Sequence, residues 1–386
     1  MKKRKINIAV ISVSRSDYSI LKPVLKKIEK SEDANLHLII SGMHLVKEFG
    51  YTINDILKEG WKVFAKIEHL ISSDTPAAVS KSIGLGIISF SDLFQRYSPD
   101  FLVILGDRFE MISVAIAAQP FGIPIAHIQG GEITRGAIDD VFRHSITKMS
   151  NLHFVTTNMH KKRVIQMGEQ PNTVFLSGSP ALDNLIGLKF KKKNFLPFHL
   201  KEKFLICTYH PETRNYKNVK SSFEKILLAL KKFKGHIIFT APNADTGGLI
   251  ITSLIEKEVS INKKWHYYKN LGVENYYYVL NYAYAMIGNS SSGIIEAASF
   301  NLPVINIGNR QEGRDRSKNV CDVPCQTSKI EKAINELEGF SKYCKEGIDN
   351  KYWAGGAAEI ICNQIIKQAK KKSLITKNFF DINNEN

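Results

Sequence analysis

The densest run of ionisable side chains is His127-Ile128-Gln129-Gly130-Gly131-Glu132, continued by Arg135, Asp139, Asp140, Arg143 and His144. Arg143 and His144 stand about one helical turn beyond Asp139 and Asp140, so carboxylates, a guanidinium and an imidazole would share one face. Such a set suits proton transfer on a substrate with an anionic part. A second pair, Asp107-Arg108, follows Gly106. Asp107 could work as acid or base while Arg108 holds an anion or positions a carboxylate. Plainer readings exist for both. Asp107 could simply cap the next helix, and Asp139 and Asp140 are favourable near any helix N-terminus.

Other residues suit an anion better than a proton. Arg15, in Ser14-Arg15-Ser16-Asp17-Tyr18, could reach a phosphate with help from a helix N-terminus, or could be solvated while Ser16 or Asp17 caps that helix. Ser290, Ser291, Ser292 and Gly293 form a hydroxyl-rich turn after an apolar run, a candidate phosphate cradle. Glu296 stands four residues after Ser292, so it faces the same side and could accept ribose hydroxyls; a capped helix with a first-turn Glu explains it as well. His210 ends Thr208-Tyr209-His210-Pro211-Glu212, and Arg310, Arg314 and Arg316 populate a later loop.

Several chemistries are disfavoured. There is no GxxxxGK[ST] phosphate loop, and no GxGxxG follows the first apolar run. The His, Cys and acidic residues show no metal-ligand spacing, and no cofactor is expected. Five cysteines, with Cys321 and Cys325 too far apart for CxxC, do not make a disulfide framework.

The elements that must position these residues alternate. Ile6–Val13, Leu36–Ile40, Phe101–Leu105, Ile123–Ile128 and Leu152–Thr156 read as buried parallel strands, separated by helices at Tyr18–Lys30, Pro76–Tyr97, Phe109–Phe121 and Asp139–Ser150. A second series follows at Phe204–Thr208, His236–Thr240, Trp265–Tyr268, Ala285–Ile287 and Pro303–Ile307, with helices near Val219–Lys232 and Ile294–Phe300. This predicts an α/β protein of two Rossmann-like, doubly wound domains facing a cleft, residues 1–185 and 200–370, with a tail at 371–386. The basic stretch around 185–200 reads as the linker.

Length and charge agree. The 386 residues suggest about two or three domains. The 53 Lys and Arg against 37 Asp and Glu leave a formal charge of +16, which attracts polyanions or phosphorylated small molecules. The basic runs at Lys2–Lys5, Lys189–Lys193 and Lys370–Lys372 lack interleaved aromatic platforms, so they read as solvated faces and no nucleic acid is expected. The basic N-terminus precedes only a short apolar run ending in Arg and Asp, unlike a secretory leader. No membrane span is expected, and a cytoplasmic location is.

Taken in order, Ser14-Arg15-Ser16-Asp17-Tyr18, Gly106-Asp107-Arg108, His127–Glu132, Ile138-Asp139-Asp140, Arg143-His144 and Gly288–Gly293 resemble the hydrolysing UDP-N-acetylglucosamine 2-epimerases, notably the branch serving sialic and legionaminic acids. The resemblance implies the two-domain GT-B arrangement, often as a homodimer, and a nucleotide-sugar substrate. It also implies a reaction: the diphosphate leaves C1 with a proton from C2, and water adds to the glycal. For UDP-N-acetylglucosamine the products would be N-acetylmannosamine and UDP. By resemblance Asp107 and Asp139 match acid/base carboxylates, and His210 a histidine assisting the leaving phosphate. Arg15, Ser291, Ser292 and Glu296 match nucleotide contacts, with Arg310 and Arg314 as weaker matches. Where the family pattern has Glu, this chain has Gln129, which cannot accept a proton at neutral pH; Glu132 takes that work, or it is distributed differently.

Two alternatives within this frame are a UDP- or GDP-linked N,N'-diacetylbacillosamine as substrate and a GT-B glycosyltransferase. The second would not need Asp107 and Asp139 together.

Overall fold

The computed structural model describes residues 4–73, 75–134, 139–188, 190, 195–211, 218–242, 247–369 and 376–382. Arg135, Gly136, Ile138 and Glu212 lie outside the described residues, as do part of the expected linker, most of the tail and most of the basic runs. The chain divides into two compact units: Met1–Glu132, Ile138–Ile186 and Tyr352–Asn386 in one, Ile133–Ala137 and Gly187–Lys351 in the other.

The first unit is built on a seven-stranded sheet with the order β3-β2-β1-β4-β5-β6-β7, every pair parallel. The strands are β1 (Ile6–Ser12), β2 (Ala34–Ser41), β3 (Val63–Ile67), β4 (Phe101–Leu105), β5 (Ile125–Ile128), β6 (Leu152–Val155) and β7 (Val174–Leu176). Its helices are α1 (Arg15–Glu29), α2 (Ile53–Lys58), α3 (Pro76–Arg96), α4 (Phe109–Ala118), α5 (Asp139–Met149), α6 (Asn158–Gln166) and α7 (Pro180–Asp183). β4 is buried on both faces, as a central strand covered by helices must be. The strand order reverses between β1 and β4, where a doubly wound sheet opens a crevice at its carboxyl end. Arg15 follows β1 and Asp107 follows β4.

The second unit has a six-stranded parallel sheet, β10-β9-β8-β11-β12-β13. Its strands are β8 (Phe204–Thr208), β9 (His236–Thr240), β10 (Trp265–Tyr268), β11 (Ala285–Gly288), β12 (Val304–Ile307) and β13 (Val320–Val323). Helices α8 (Val219–Leu230), α9 (Gly248–Ile261), α10 (Gly272–Tyr282), α11 (Ser291–Ile295), α12 (Thr327–Asn335) and α13 (Leu337–Lys345) accompany them. Here the order reverses between β8 and β11, the strands that precede His210 and Ser290.

Three differences from the sequence reading have physical causes. The last helix, α14 (Ala357–Gln368), belongs to the first unit rather than the second. Ala357, Ala358, Ile361 and Ile365 share a core with Leu21, Val24, Leu25 and Ile28 of α1. The Asp183 carboxylate accepts the backbone N–H groups of Ala357 and Ala358 at 3.0 and 2.6 Å, tying down the start of α14. An amphipathic helix shows that it covers a sheet, not which one. Edge strands β3, β7 and β13 are not expected from the sequence because, at five, three and four residues and only partly buried, their runs are too short to mark a buried strand. The helix expected at Ile294–Phe300 is instead α11 followed by a 3-10 turn at Ala297–Phe300.

α3 is long and apolar enough to cross a membrane by length and composition. It packs on α4 as part of the first unit, with Ser82, Gly86, Phe90 and Phe94 buried.

Candidate active site

In the first unit the ionisable residues gather on Arg143. This guanidinium is buried, 3% exposed, and forms a salt bridge with Asp107. Its Nη1 bonds Asp140 at 3.1 Å and the Glu132 backbone carbonyl at 2.9 Å. One side chain thus ties together the turn after β4, the loop after β5 and the first turn of α5. Three separate sequence motifs become one cluster.

Asp107 is not the helix cap that the plainer reading allowed. The N-cap of α4 is Arg108, which makes no side-chain capping bond. Gly106, at φ +73°, turns the chain as β4 ends, a conformation open to glycine at little cost. The Asp107 side chain remains 25% exposed beside Arg143. Asp139 opens α5 and is half-buried, with Arg108 close enough to feel its charge.

Arg108 positions carboxylates of the protein itself, the second of the two roles its sequence allowed. It bonds the fully buried Glu110 carboxylate at 2.9 and 3.2 Å and stands 4.0 Å from Asp17. Burial pushes the Asp17 carboxyl up to about 6, with Arg108 and Ser14 opposing. Neither Asp17 nor Glu110 stood out as functional in the sequence, because an acidic residue in a first turn is ordinary. Arg15 behaves differently: it is exposed at the start of α1, and Ser14 rather than Ser16 or Asp17 caps that helix.

The loop after β5 modifies two expectations. Gly130 and Gly131 approach protein rather than leaving room for a ligand. A Cβ on Gly130 would press on His127 and Thr147 at 3.0 Å, and one on Gly131 would meet the His160 carbonyl at 2.7 Å. Gln129 has φ +65°, unusual for a residue with a side chain, and its amide reaches Ser179 at 3.4 Å. Such backbone strain gathers at functional sites. Glu132 is buried, 4% exposed, and accepts a hydrogen bond from Thr156 at 3.2 Å. His144 lies 3.8 Å from Asp140; burial holds its imidazole below the usual value, with Asp140 opposing.

In the second unit Asn289 organises the residues. Its Oδ1 accepts the His210 N–H at 2.7 Å and its Nδ2 donates to the His210 carbonyl at 2.9 Å. Arg310 and Gln311 donate to the Asn289 carbonyl at 3.2 and 2.8 Å. The loops after β8, β11 and β12 are therefore laced together by one amide residue that sequence reasoning passed over. β8 and β11 run so close that a Cβ on Gly288 would collide with the Thr208 carbonyl, so only glycine fits. The His210 imidazole is buried; that burial, helped by the Arg310 charge, lowers it to about 3, so the ring is neutral.

The three serines differ. Ser290 caps α11, its Oγ accepting the Ser292 N–H at 3.3 Å. The Ser292 hydroxyl takes a bond from Tyr276 at 2.8 Å. The Ser291 hydroxyl, on the same turn, has no hydrogen bond to another described residue, and the residue remains partly exposed. Gly293 packs against Val304. Glu296 accepts from Tyr277 at 2.9 Å, and burial raises its carboxyl against the pull of Ser292 and Tyr277. Among the described residues no group of three or more His, Cys, Asp or Glu could hold a metal ion.

Comparison with known proteins follows the same lines. Residues 26–366 match the family model described as UDP-N-acetylglucosamine 2-epimerase. The chain is 40% identical over 392 residues to the GDP/UDP-N,N'-diacetylbacillosamine 2-epimerase (hydrolyzing) of Campylobacter jejuni, covering 99% of this chain and all of that one. It is 35% identical to the UDP-N,N'-diacetylbacillosamine 2-epimerase (hydrolyzing) of Legionella pneumophila, over 93% and 95% of the two chains. The crystal structure of the Neisseria meningitidis UDP-GlcNAc 2-epimerase bound to UDP-GlcNAc shares the fold with a TM-score of 0.81, at 18% identity, over 94% of this chain and all of the other.

Proposed function

We propose, from the premise that the chain belongs to the UDP-N-acetylglucosamine 2-epimerase family, that it is a hydrolysing 2-epimerase of nucleotide-linked N,N'-diacetylbacillosamine. The observation that carries this is the pair of nearly full-length relatives, at 40% and 35% identity, both named for that substrate. UDP-N-acetylglucosamine, the first substrate suggested by the motifs, becomes the second reading, favoured by the family model's description. The product would be the free 2,4-diacetamido sugar with C2 inverted, a precursor for nine-carbon, sialic-type acids.

A carboxylate removes the C2 proton, the C2–H electron pair forms the C1=C2 bond, and the C1–O bond breaks to release the nucleoside diphosphate. Water then adds at C1 while a proton returns to C2 on the opposite face. Asp107 and Asp139 are the proposed carboxylates, and Arg143 holds Asp107 in place through their salt bridge. Glu132 holds Arg143 through its carbonyl. The nucleotide contacts fall to Ser291 and Ser292, on a turn capped by Ser290, and to Glu296, Arg310 and Arg15, with neutral His210 donating a hydrogen bond to the departing phosphate. The protein acts as a homodimer; Leu85 and Ile88, exposed one turn apart on α3, offer an apolar face for a second copy.

The deciding experiment incubates the protein in deuterated water with UDP- and GDP-linked diacetylbacillosamine and with UDP-N-acetylglucosamine. Free sugar deuterated at C2, formed with the highest kcat/KM from a diacetylbacillosamine nucleotide, is the expected result. Nucleoside diphosphate released without a C2-deuterated sugar would sink epimerisation. A higher kcat/KM for UDP-N-acetylglucosamine would restore the second reading.

A further inference from the structure

Far from these carboxylates along α5, the last turn of the same helix is held by the C-terminal segment 376–382. Glu169 is buried there, 2% exposed. Its carboxylate takes Lys148 at 2.7 Å, His153 at 2.9 Å and Lys377 at 2.8 Å. Lys377 also donates to the carbonyls of Lys148 and Ser150, at 2.7 and 2.6 Å, which closes the end of α5. A cation at a helix C-terminus is placed where the dipole favours it. Two further contacts fix the segment. The Phe379 ring lies on Gly168 so closely that any Cβ there would overlap it, and the Phe380 N–H bonds the Gly168 carbonyl at 2.9 Å.

The last turn of α5 is pinned from the sheet as well. His127 touches Thr147 of α5 at 3.1 Å and the Gly106 carbonyl at 2.7 Å. Because a carbonyl only accepts, His127 Nε2 carries the proton, and burial keeps the ring neutral; the Thr147 hydroxyl donates to the Arg143 carbonyl at 3.0 Å. His127 and His153 are register partners on β5 and β6. α5 therefore rests on the sheet near the turn that presents Asp107, and is clamped at its far end.

We propose that Lys377 is a positioning residue: segment 376–382 straps down the end of α5 and so keeps Asp139 and Asp140, in its first turn, and Arg143, near its centre, aligned with Asp107. α5 has 11 residues, a stiff rod of about 16 Å. A small tilt at one end displaces the other, and misplacing a reacting group by about 1 Å costs on the order of 100-fold in rate. The catalytic half of this inference rests on the proposed epimerisation.

The test compares full-length wild type with K377M, K377R and F379A. Hydrogen exchange of residues 139–149 is measured first, since it needs no substrate; kcat and KM follow. K377M should speed exchange in α5 while leaving the second unit unchanged. Its kcat should fall by roughly tenfold with KM within about twofold, and K377R should restore most of the rate. Unchanged exchange in α5, or a kcat loss matching only the loss of folded protein by circular dichroism, overturns the strap. Should K377M fail to fold, F379A removes the contact with Gly168 and the ring that lies 4.9 Å from the Lys148 ammonium, while removing no charge, and must give the same pair of effects. A wild type that forms no free sugar refutes the epimerase reading, and the exchange result still decides the strap.

Discussion

Arg143 of α5 closes a salt bridge on Asp107, across from the turn that ends β4. The arginine is buried and the carboxylate partly open, so one member anchors while the other faces outward. That asymmetry separates the consequences of replacing each.

Asp107→Asn should lower kcat by about 10²–10⁴-fold, the usual worth of a positioned acid or base, with nucleoside diphosphate affinity nearly intact. Arg143→Met should do more harm to the fold, since it leaves Asp107 and Asp140 without their shared cation; the loss stays below the ~3–5 kcal/mol of a fully buried pair because both carboxylates are partly exposed. Steady-state kinetics with thermal melts on both variants check this. Normal turnover by the Asn variant would remove Asp107 from the chemistry.

Ser291 and Ser290 should part ways although they are neighbours. Ser291→Ala should weaken UDP or GDP binding several-fold without a change in melting temperature. Ser290→Ala should instead lose the α11 cap, about 1 kcal/mol of stability. Isothermal titration beside thermal melts decides, and equal affinity in the Ser291 variant counts against its phosphate contact.

Asp17 should make the protein less stable as pH rises. Its folded-state value, about 6, lies above the ordinary 3.8. The stabilisation it contributes is complete below pH 3.8 and is lost as pH climbs through 6. Asp17→Asn carries no such penalty, so its advantage over wild type should grow from pH 4 to 7, reaching at most about 3 kcal/mol. Denaturant melts at stepped pH test the slope. An advantage that stays flat contradicts it.

Glu169 should behave in the opposite sense. Burial alone would raise its carboxyl, but bonds from His153, Lys148 and Lys377 outweigh this and hold it at about 2, below the ordinary 4.5. Its contribution is present above pH 4.5 and is lost as pH falls toward 2. The deficit of Glu169→Gln should therefore shrink as the buffer is acidified over that window. A constant deficit would mean that the buried ion cluster is not acid-linked.

Much of the candidate site was legible because chemistry left residues of unusual type together. Asp107, Asp139, Asp140, Arg143 and His144 stood out by density, and Ser290–Gly293 by the hydroxyls after an apolar run. The central strands were equally clear, since burial on both faces writes a continuous apolar stretch. Asn289, Glu110 and Asp17 were not, because one amide or acid in a loop or first turn is common, and only its partners distinguish it.

The sequence by itself determined the alternation of strands and helices, the two-sheet architecture and the family, all of which depend on local composition and ordered spacing. Tertiary structure alone decided that Arg143 bridges Asp107, Glu132 and Asp140, that Arg108 belongs to Glu110, that Ser291 rather than Ser290 keeps its hydroxyl available, and that α14 returns to the first unit. Their separations run from 2 positions, for Arg108 and Glu110, to 175, for Asp183 and Ala358. A side chain's charge is written in the chain, but its partner is set by which strand ends the sheet order brings together, and that order is a property of the packed fold.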